Sequence, residues 1–181
     1  MDNILEGVFL LINHYQRVLD SADQLAADLL RMQVLEEEDR DFGGLESLAN
    51  RIVGPKYSIY GLKAMLSVYY NEDSAYYKDE KLFNSIELLL DYIENIQRED
   101  GTFDLLSVNF YSSPDTAFMV QRLCISHKII TKFAERNADQ LKKKLESIIE
   151  KAGYGMSAGG FHTPNHRWVI ASSLMMAYNI L

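Results

Sequence analysis

The sequence is short of most things that would make a disulfide-bonded, nucleic-acid-binding or membrane-spanning protein. Cysteine occurs once, as Cys124, so no disulfide framework can form within the chain. Set in the apolar run from Phe118 to Ile130, that thiol reads as a packing residue, the usual place for a free Cys. Basic charge is in the minority. Lys and Arg number 18 against 26 Asp and Glu, a formal net charge of -8, which argues against the clustered basic surface that phosphate backbones require. The one basic cluster, Lys142-Lys143-Lys144, is flanked by Asp139, Glu146 and Glu150 and reads as the solvated face of a helix. The apolar stretch Val8 to Ile12 falls far short of the roughly 20 residues that cross a bilayer. It is preceded by Asp2 rather than by Lys or Arg, the wrong charge for a secretory signal. These absences set the expectation of a cytoplasmic chain with neither nucleic acid nor a membrane among its partners.

Several chemical signatures are missing as well. There is no Gly-rich phosphate loop, no Gly-x-Ser-x-Gly and no His-Glu-x-x-His. His162 and His166 are four apart, but Pro164 between them places His162 outside any helix, and no Cys or close carboxylate completes a ligand set. No metal and no cofactor are expected.

What is present is helical periodicity. With 181 residues, 48% of them hydrophobic and 24% charged, the chain can bury a sizeable core as one domain. Apolar residues recur at spacings of three and four, and strand-like alternation is absent. Six helices are predicted: about Asn3 to Met32, with a break near Asp20-Ser21; a second following Pro55; Glu80 to Gln97; a fourth from Pro114 to about Ala134; Asp139 to Ala152; and Pro164 to the end. The chain has only three prolines, Pro55, Pro114 and Pro164, 59 and 50 residues apart. Each stands at a predicted helix start, where a missing N–H costs no intrahelical bond. Ser113 and Thr163 precede two of them and are expected to cap the first turns through their hydroxyls. The spacing amounts to about one two-helix unit per repeat.

The two helices of each unit differ. Those beginning at prolines are apolar nearly all round, as in Trp168-Val169-Ile170-Ala171 and Leu174-Met175-Met176-Ala177-Tyr178. The third and fifth are amphipathic, with Asp91, Glu94, Lys142, Lys143 and Glu146 on a wet side. A helix apolar on all sides is expected to be buried on all sides. The predicted fold is therefore all-α, a two-layer array of three antiparallel helical hairpins with the second, fourth and sixth helices inside. The last helix ends at Asn179-Ile180-Leu181 without a polar cap, whereas terminal repeats normally carry a polar face. A partner is expected there, either further sequence or another subunit in a homo-oligomer. On this reading residues 1–181 form a single α/α domain that is incomplete at its C-terminal end.

In such an array connections alternate between two ends. The links from helix two to three and four to five are short or plainly polar. The other three fall together at the opposite end and hold Asp41-Phe42-Gly43-Gly44-Leu45-Glu46, then Asp100-Gly101-Thr102-Phe103-Asp104 with Asn109-Phe110-Tyr111-Ser112-Ser113, then Gly159-Gly160-Phe161-His162-Thr163-Pro164-Asn165-His166-Arg167-Trp168. Loops on a rigid scaffold are the usual seat of binding residues, and helix N-termini favour anionic groups. Each candidate also has a plain structural account. Asp100-Gly101 is good turn chemistry, the paired glycines can supply positive φ, and Asp115 and Asn165 suit the first turn of a helix. His162, His166 and Arg167 entering an apolar helix are harder to place without partners, and histidine titrates in the range useful for proton transfer.

Three segments resemble the N-terminal α/α-toroid part of heparinase II/III-like proteins: Asp100 to Asp104, Tyr111 to Phe118, and most specifically Gly160 to Trp168. The resemblance covers about residues 55 to 181. It implies half of an (α/α)6 toroid, an oligo- or polysaccharide partner, and cleavage of uronic-acid glycans by β-elimination. On that analogy Asn165 and His166 correspond to the Asn/His part of a lyase site, with Tyr111 as proton donor. His162, Arg167, Trp168, Asn109, Asp104 and Asp115 would contact substrate. The second half of the toroid and the family's β-region are absent, so a lyase site would be incomplete in this chain alone. Two other readings stand beside this one: a glycoside hydrolase using two of Glu46, Asp104 and Asp115, and a non-catalytic helical-repeat interaction protein.

Overall fold

The computed structural model describes residues 2–47, 49–106, 108–133, 138–158 and 162–181, with side chains from residue 12 onward. Among these the chain is all-helical: α1 (Asp2–Met32), α2 (Pro55–Tyr69), α3 (Glu80–Asn95), α4 (Ser113–Phe133), α5 (Asp139–Ser157) and α6 (Pro164–Tyr178). Extended pairing is limited to isolated bridges such as Gln33 with Leu45 and Glu46 with Val53. All six helices fall where periodicity and the prolines place them. The break near Asp20-Ser21 does not occur. Ser21 Oγ donates back to the Arg17 carbonyl at 2.8 Å and Gln16 reaches Asp20 at 2.8 Å, so both polar residues are satisfied within the continuing helix.

The helices form two layers. α2 packs on α4 and α4 on α6, making one layer, while α3 lies against α2 and α5, and α5 against α4 and α6. The core is one cluster built from Ile59, Leu62 and Leu66 of α2, Leu82, Ile86 and Leu89 of α3, and their counterparts on α4 and α5, nearly all fully buried. Each such side chain contributes about 1.5–3 kcal/mol by leaving water. The loops alternate as expected. Asn50, Gly54 and Pro55 meet Asp104, Leu105 and Leu106 at one end, where Ser113 Oγ also donates to the Gly155 carbonyl at 3.1 Å. Tyr69, Tyr70 and Lys78 meet Phe133 and Ala138 at the other.

Successive hairpins are joined by the same contacts, residue for residue. Gln33, just past α1, donates to the carbonyls of Gly43 and Ser85, both at 3.0 Å. Gln97, just past α3, donates to Gly101 at 2.9 Å and Ile148 at 3.0 Å. Gly43 and Gly101 have φ of 87° and 85°, in the region that favours glycine. A Cβ on them would come within 2.6 Å of the Leu88 carbonyl oxygen and 1.9 Å of the Lys151 carbonyl oxygen. Two positions on, the Leu45 N–H donates to Ser58 Oγ at 3.1 Å and the Phe103 N–H to Thr116 Oγ1 at 2.8 Å. The repeat is thus a set of contacts between the loop of one hairpin, the helix that starts beside it and the outer helix of the next. Gly159 and Gly160, which continue the glycine spacing in the third loop, lie outside the described residues, as do Glu135, Arg136 and Asn137 of the α4–α5 link.

Two expectations are corrected. The cap of α4 is Ser112, not Ser113: its Oγ accepts from the Asp115 N–H at 3.2 Å and its hydroxyl donates to the Asp115 carboxylate, a reciprocal first-turn arrangement of the capping-box kind. Thr163 likewise caps nothing with its hydroxyl, which donates to Asn165 Oδ1 at 2.6 Å. α6 is bare on one side, as its apolar, uncapped end implies for a helix that needs a partner. Only Val169, Ser173 and Ala177 are buried, while Trp168, Met175 and Tyr178 stand 77%, 62% and 80% exposed. Apolarity all round demands cover on all sides, and the chain itself supplies it on one.

Candidate functional site

The rim residues form two sets. The first is built on the α3–α4 loop. Arg98 Nε meets Asp104 Oδ2 at 2.9 Å and its Nη2 reaches the same oxygen. The Asp104 side chain is almost wholly enclosed, and its other oxygen accepts the Tyr111 N–H at 3.0 Å. That bond holds Tyr111 at φ 51°, a left-handed conformation that costs a residue with a Cβ roughly 1–2 kcal/mol. The Tyr111 ring lies 4.7 Å beneath the Arg98 guanidinium, and Arg98 Nη1 is 3.5 Å from its hydroxyl. The hydrogen bond and charge of Asp104 raise the Arg98 pKa above its ordinary value. Beside this, Asn109 Nδ2 donates to Ser112 Oγ and to Asp115 Oδ2, both at 2.9 Å. Asp115 therefore sits in the first turn of α4 with its carboxylate engaged, where the helix dipole favours an anion. Asp104, Asn109, Tyr111 and Asp115 are brought together, with Asn109 and Tyr111 exposed to solvent.

The second set opens α6. Arg167 Nε donates to the His162 carbonyl at 3.0 Å and Asn165 pairs with Thr163. His162 Nε2 is enclosed with no hydrogen-bond partner among the described residues. His166 is half-buried and Trp168 exposed. Phe161, the remaining aromatic of this segment, lies outside the described residues. The two sets are held by separate networks on different helix starts, one on α4 and the other on α6.

Between α2 and α4 lies a cavity of about 280 Å³ that sequence reasoning missed, lined by Lys56, Tyr60, Leu105, Asp115, Phe118 and Met119. The Arg122 guanidinium covers the Tyr60 ring at 5.1 Å. The signal was available: Lys56 and Tyr60 are four apart, and Asp115, Phe118 and Arg122 succeed one another at three and four, each set on one helical face. Arg98 had no such local mark, because its partners Asp104 and Tyr111 depend on how the loop folds back. A second cavity of about 120 Å³ adjoins this one through Lys56 and Leu105. Of the carboxylates weighed for hydrolysis, Glu46 is paired with Arg51 at 2.8 Å, and Asp104 and Asp115 are engaged as described.

Cys124 is buried in α4, and burial pushes its thiol up to about 11, so it packs rather than reacts. Among the described residues no group of three or more His, Cys, Asp or Glu is placed to hold a metal ion, and no helix is long and apolar enough to cross a membrane. Comparison with family models, with curated proteins and with solved structures finds no match to this chain.

Proposed function

We propose that the chain is a carbohydrate-active α/α scaffold, half of a six-hairpin toroid, that binds an acidic oligo- or polysaccharide along its rim. The observation that carries the reading is the cavity between the starts of α2 and α4. Tyr60 and Phe118 offer flat apolar faces there, Lys56 offers a cationic group and Asp115 an acceptor, and the Arg122 guanidinium lies over the Tyr60 ring beside them. Sugars with carboxylates need this mixture: aromatic area for the ring faces, and fixed cations for the uronate. Despite the net charge of -8, the local field is what a ligand meets.

The chemistry proposed for that site is β-elimination, with Tyr111 as the proton donor to the leaving oxygen. Tyr111 is exposed, its backbone is pinned by Asp104, and its hydroxyl lies beside the Arg98 guanidinium. His166 and Asn165, one hairpin along the rim, would take the base and carboxylate-neutralising roles that the heparinase II/III resemblance implies, and completion of the ring would have to bring them to the substrate. A glycoside hydrolase is the weaker alternative, because Glu46, Asp104 and Asp115 are all engaged by protein donors. A non-catalytic interaction role draws on the bare face of α6. Uronate oligosaccharides are expected to bind in calorimetric titration, with Lys56→Ala and Arg122→Ala each weakening affinity about tenfold, as the loss of one charge-assisted hydrogen bond would. Cleavage is expected to raise ultraviolet absorbance from an unsaturated product, and Tyr111→Phe to abolish the rise. Absence of binding to any uronate oligosaccharide would sink the reading.

A further inference from the structure

We infer that the bare face of α6 receives the α1–α2 flank of a second copy of this chain, joined head to tail. The repeat carries this, independently of the saccharide reading. Counted from the first residue of each inner helix, the fifth, eighth and twelfth positions are Ile59, Leu62 and Leu66 in α2, and Ala117, Val120 and Cys124 in α4, all essentially fully buried. A face of the same three-four spacing in α6, Trp168, Ala171 and Met175, is exposed throughout. What α2 and α4 have and α6 lacks is an outer helix after it: α3 packs on α2 and α5 on α4, with His127 of α4 bonding Glu146 of α5 at 2.9 Å. The occupant that fits α6 is therefore an outer helix of this same type.

The opposite end of the array offers one. Gln33 and Gln97 play the same part, and counting back from each aligns α1 with α3. Val18 and Leu25 then stand where α3 has Leu82 and Leu89. The α3 residues are fully buried, whereas Val18 is 54% and Leu25 42% exposed. α1 thus carries the apolar residues of an outer helix that covers a preceding inner one, and among the described residues no inner helix covers them. Beside them an apolar groove of about 350 Å³ runs between α1 and α2, lined by Leu25, Leu29, Tyr57, Gly61 and Ala64 among others. In the next hairpin the side of α4 corresponding to Tyr57 and Gly61, with Asp115 and Met119, faces the preceding inner helix at Tyr60. The groove is thus the seat for a preceding inner helix, and α6 of another copy supplies it. Two copies joined at both ends make a closed ring of six hairpins. A contact between unlike surfaces must close in this way or grow.

Sedimentation of the full chain at high micromolar concentration is expected to give a mass of two chains or more. A tail variant (Met175→Glu with Tyr178→Glu) and a head variant (Val18→Glu with Leu25→Glu), each checked for native helicity, are expected to run as single chains. Mixed one to one they are expected to re-associate, because the mixture retains one intact α6 and one intact α1–α2 flank. Tyr178→Glu alone serves as a second tail variant should the double one fail to fold. A single-chain mass for the unmodified protein overturns the proposal. So does a head variant that stays associated by itself, which would mean α6 pairs with α6, or a mixture that stays dissociated.

Discussion

α4 and α6 are the same helix in two situations. Both begin beside a proline, both are apolar on nearly every side, and both pack against the inner helix before them. Cys124 of one is wholly buried, and Met175 of the other is 62% exposed. The helices' own residues do not make this difference; the presence of α5 beside α4, and of no counterpart beside α6, does. An apolar pattern states that a face must be covered; it does not say which chain provides the cover.

The comparison breaks most sharply at Val120 and Ala171. Val120→Asp would bury an unpaired carboxylate in the core and is expected to cost about 3–5 kcal/mol, enough to unfold a marginal domain. Ala171→Asp, on the exposed face of α6, is expected to change stability by less than about 0.5 kcal/mol in dilute protein. Urea midpoints of the two variants test this, and comparable losses would mean that α6 is covered within one chain. The junction between hairpins ranks next. Gly101→Ala forces a Cβ against the Lys151 carbonyl at a φ of 85° and is expected to cost about 1–3 kcal/mol. Gly153→Ala, in α5 with open space around the added carbon, is expected to stabilise by about 0.5–1 kcal/mol. The smallest effect is kinetic. Cys124 is expected to react with a thiol reagent only as fast as the protein unfolds. A cysteine placed by Met175→Cys in a Cys124→Ala background is expected to react at once in dilute solution and to become protected as concentration rises. Labelling at 175 that ignores concentration would separate the exposed face from any self-association.

Much of this architecture was legible in the sequence. Helix starts were marked by Pro55, Pro114 and Pro164, and the bodies by three-four spacing, because both signals act within one turn. Loop alternation came from the count of helices. That α6 needs a partner was legible in its apolar, uncapped end; which of its faces stays open was not, since that depends on a neighbour. Nor was the seating of the rim residues: Tyr111 owes its backbone conformation to Asp104 and its ring position to Arg98, contacts made only when the loop closes. The capping serine was misplaced by one residue because Ser112 and Ser113 are equally good caps, and only the reciprocal bond with Asp115 separates them. The Lys56–Tyr60 and Asp115–Phe118–Arg122 faces were readable as helical spacings, but their meeting across two helices was not.

The two glutamine clamps differ in one respect: Gln33 reaches a glycine carbonyl ten positions on, and Gln97 one only four on. The pin between hairpins is therefore indifferent to how much chain lies between its ends. Lengthening a loop adds entropy cost only logarithmically, so the stretch from Leu35 to Arg40 is a place where the molecule can gain or lose residues while the stack stays in register. Rim and scaffold are in that sense separately editable: a graft at this point would re-equip the first hairpin's edge without asking the helices beneath it to move.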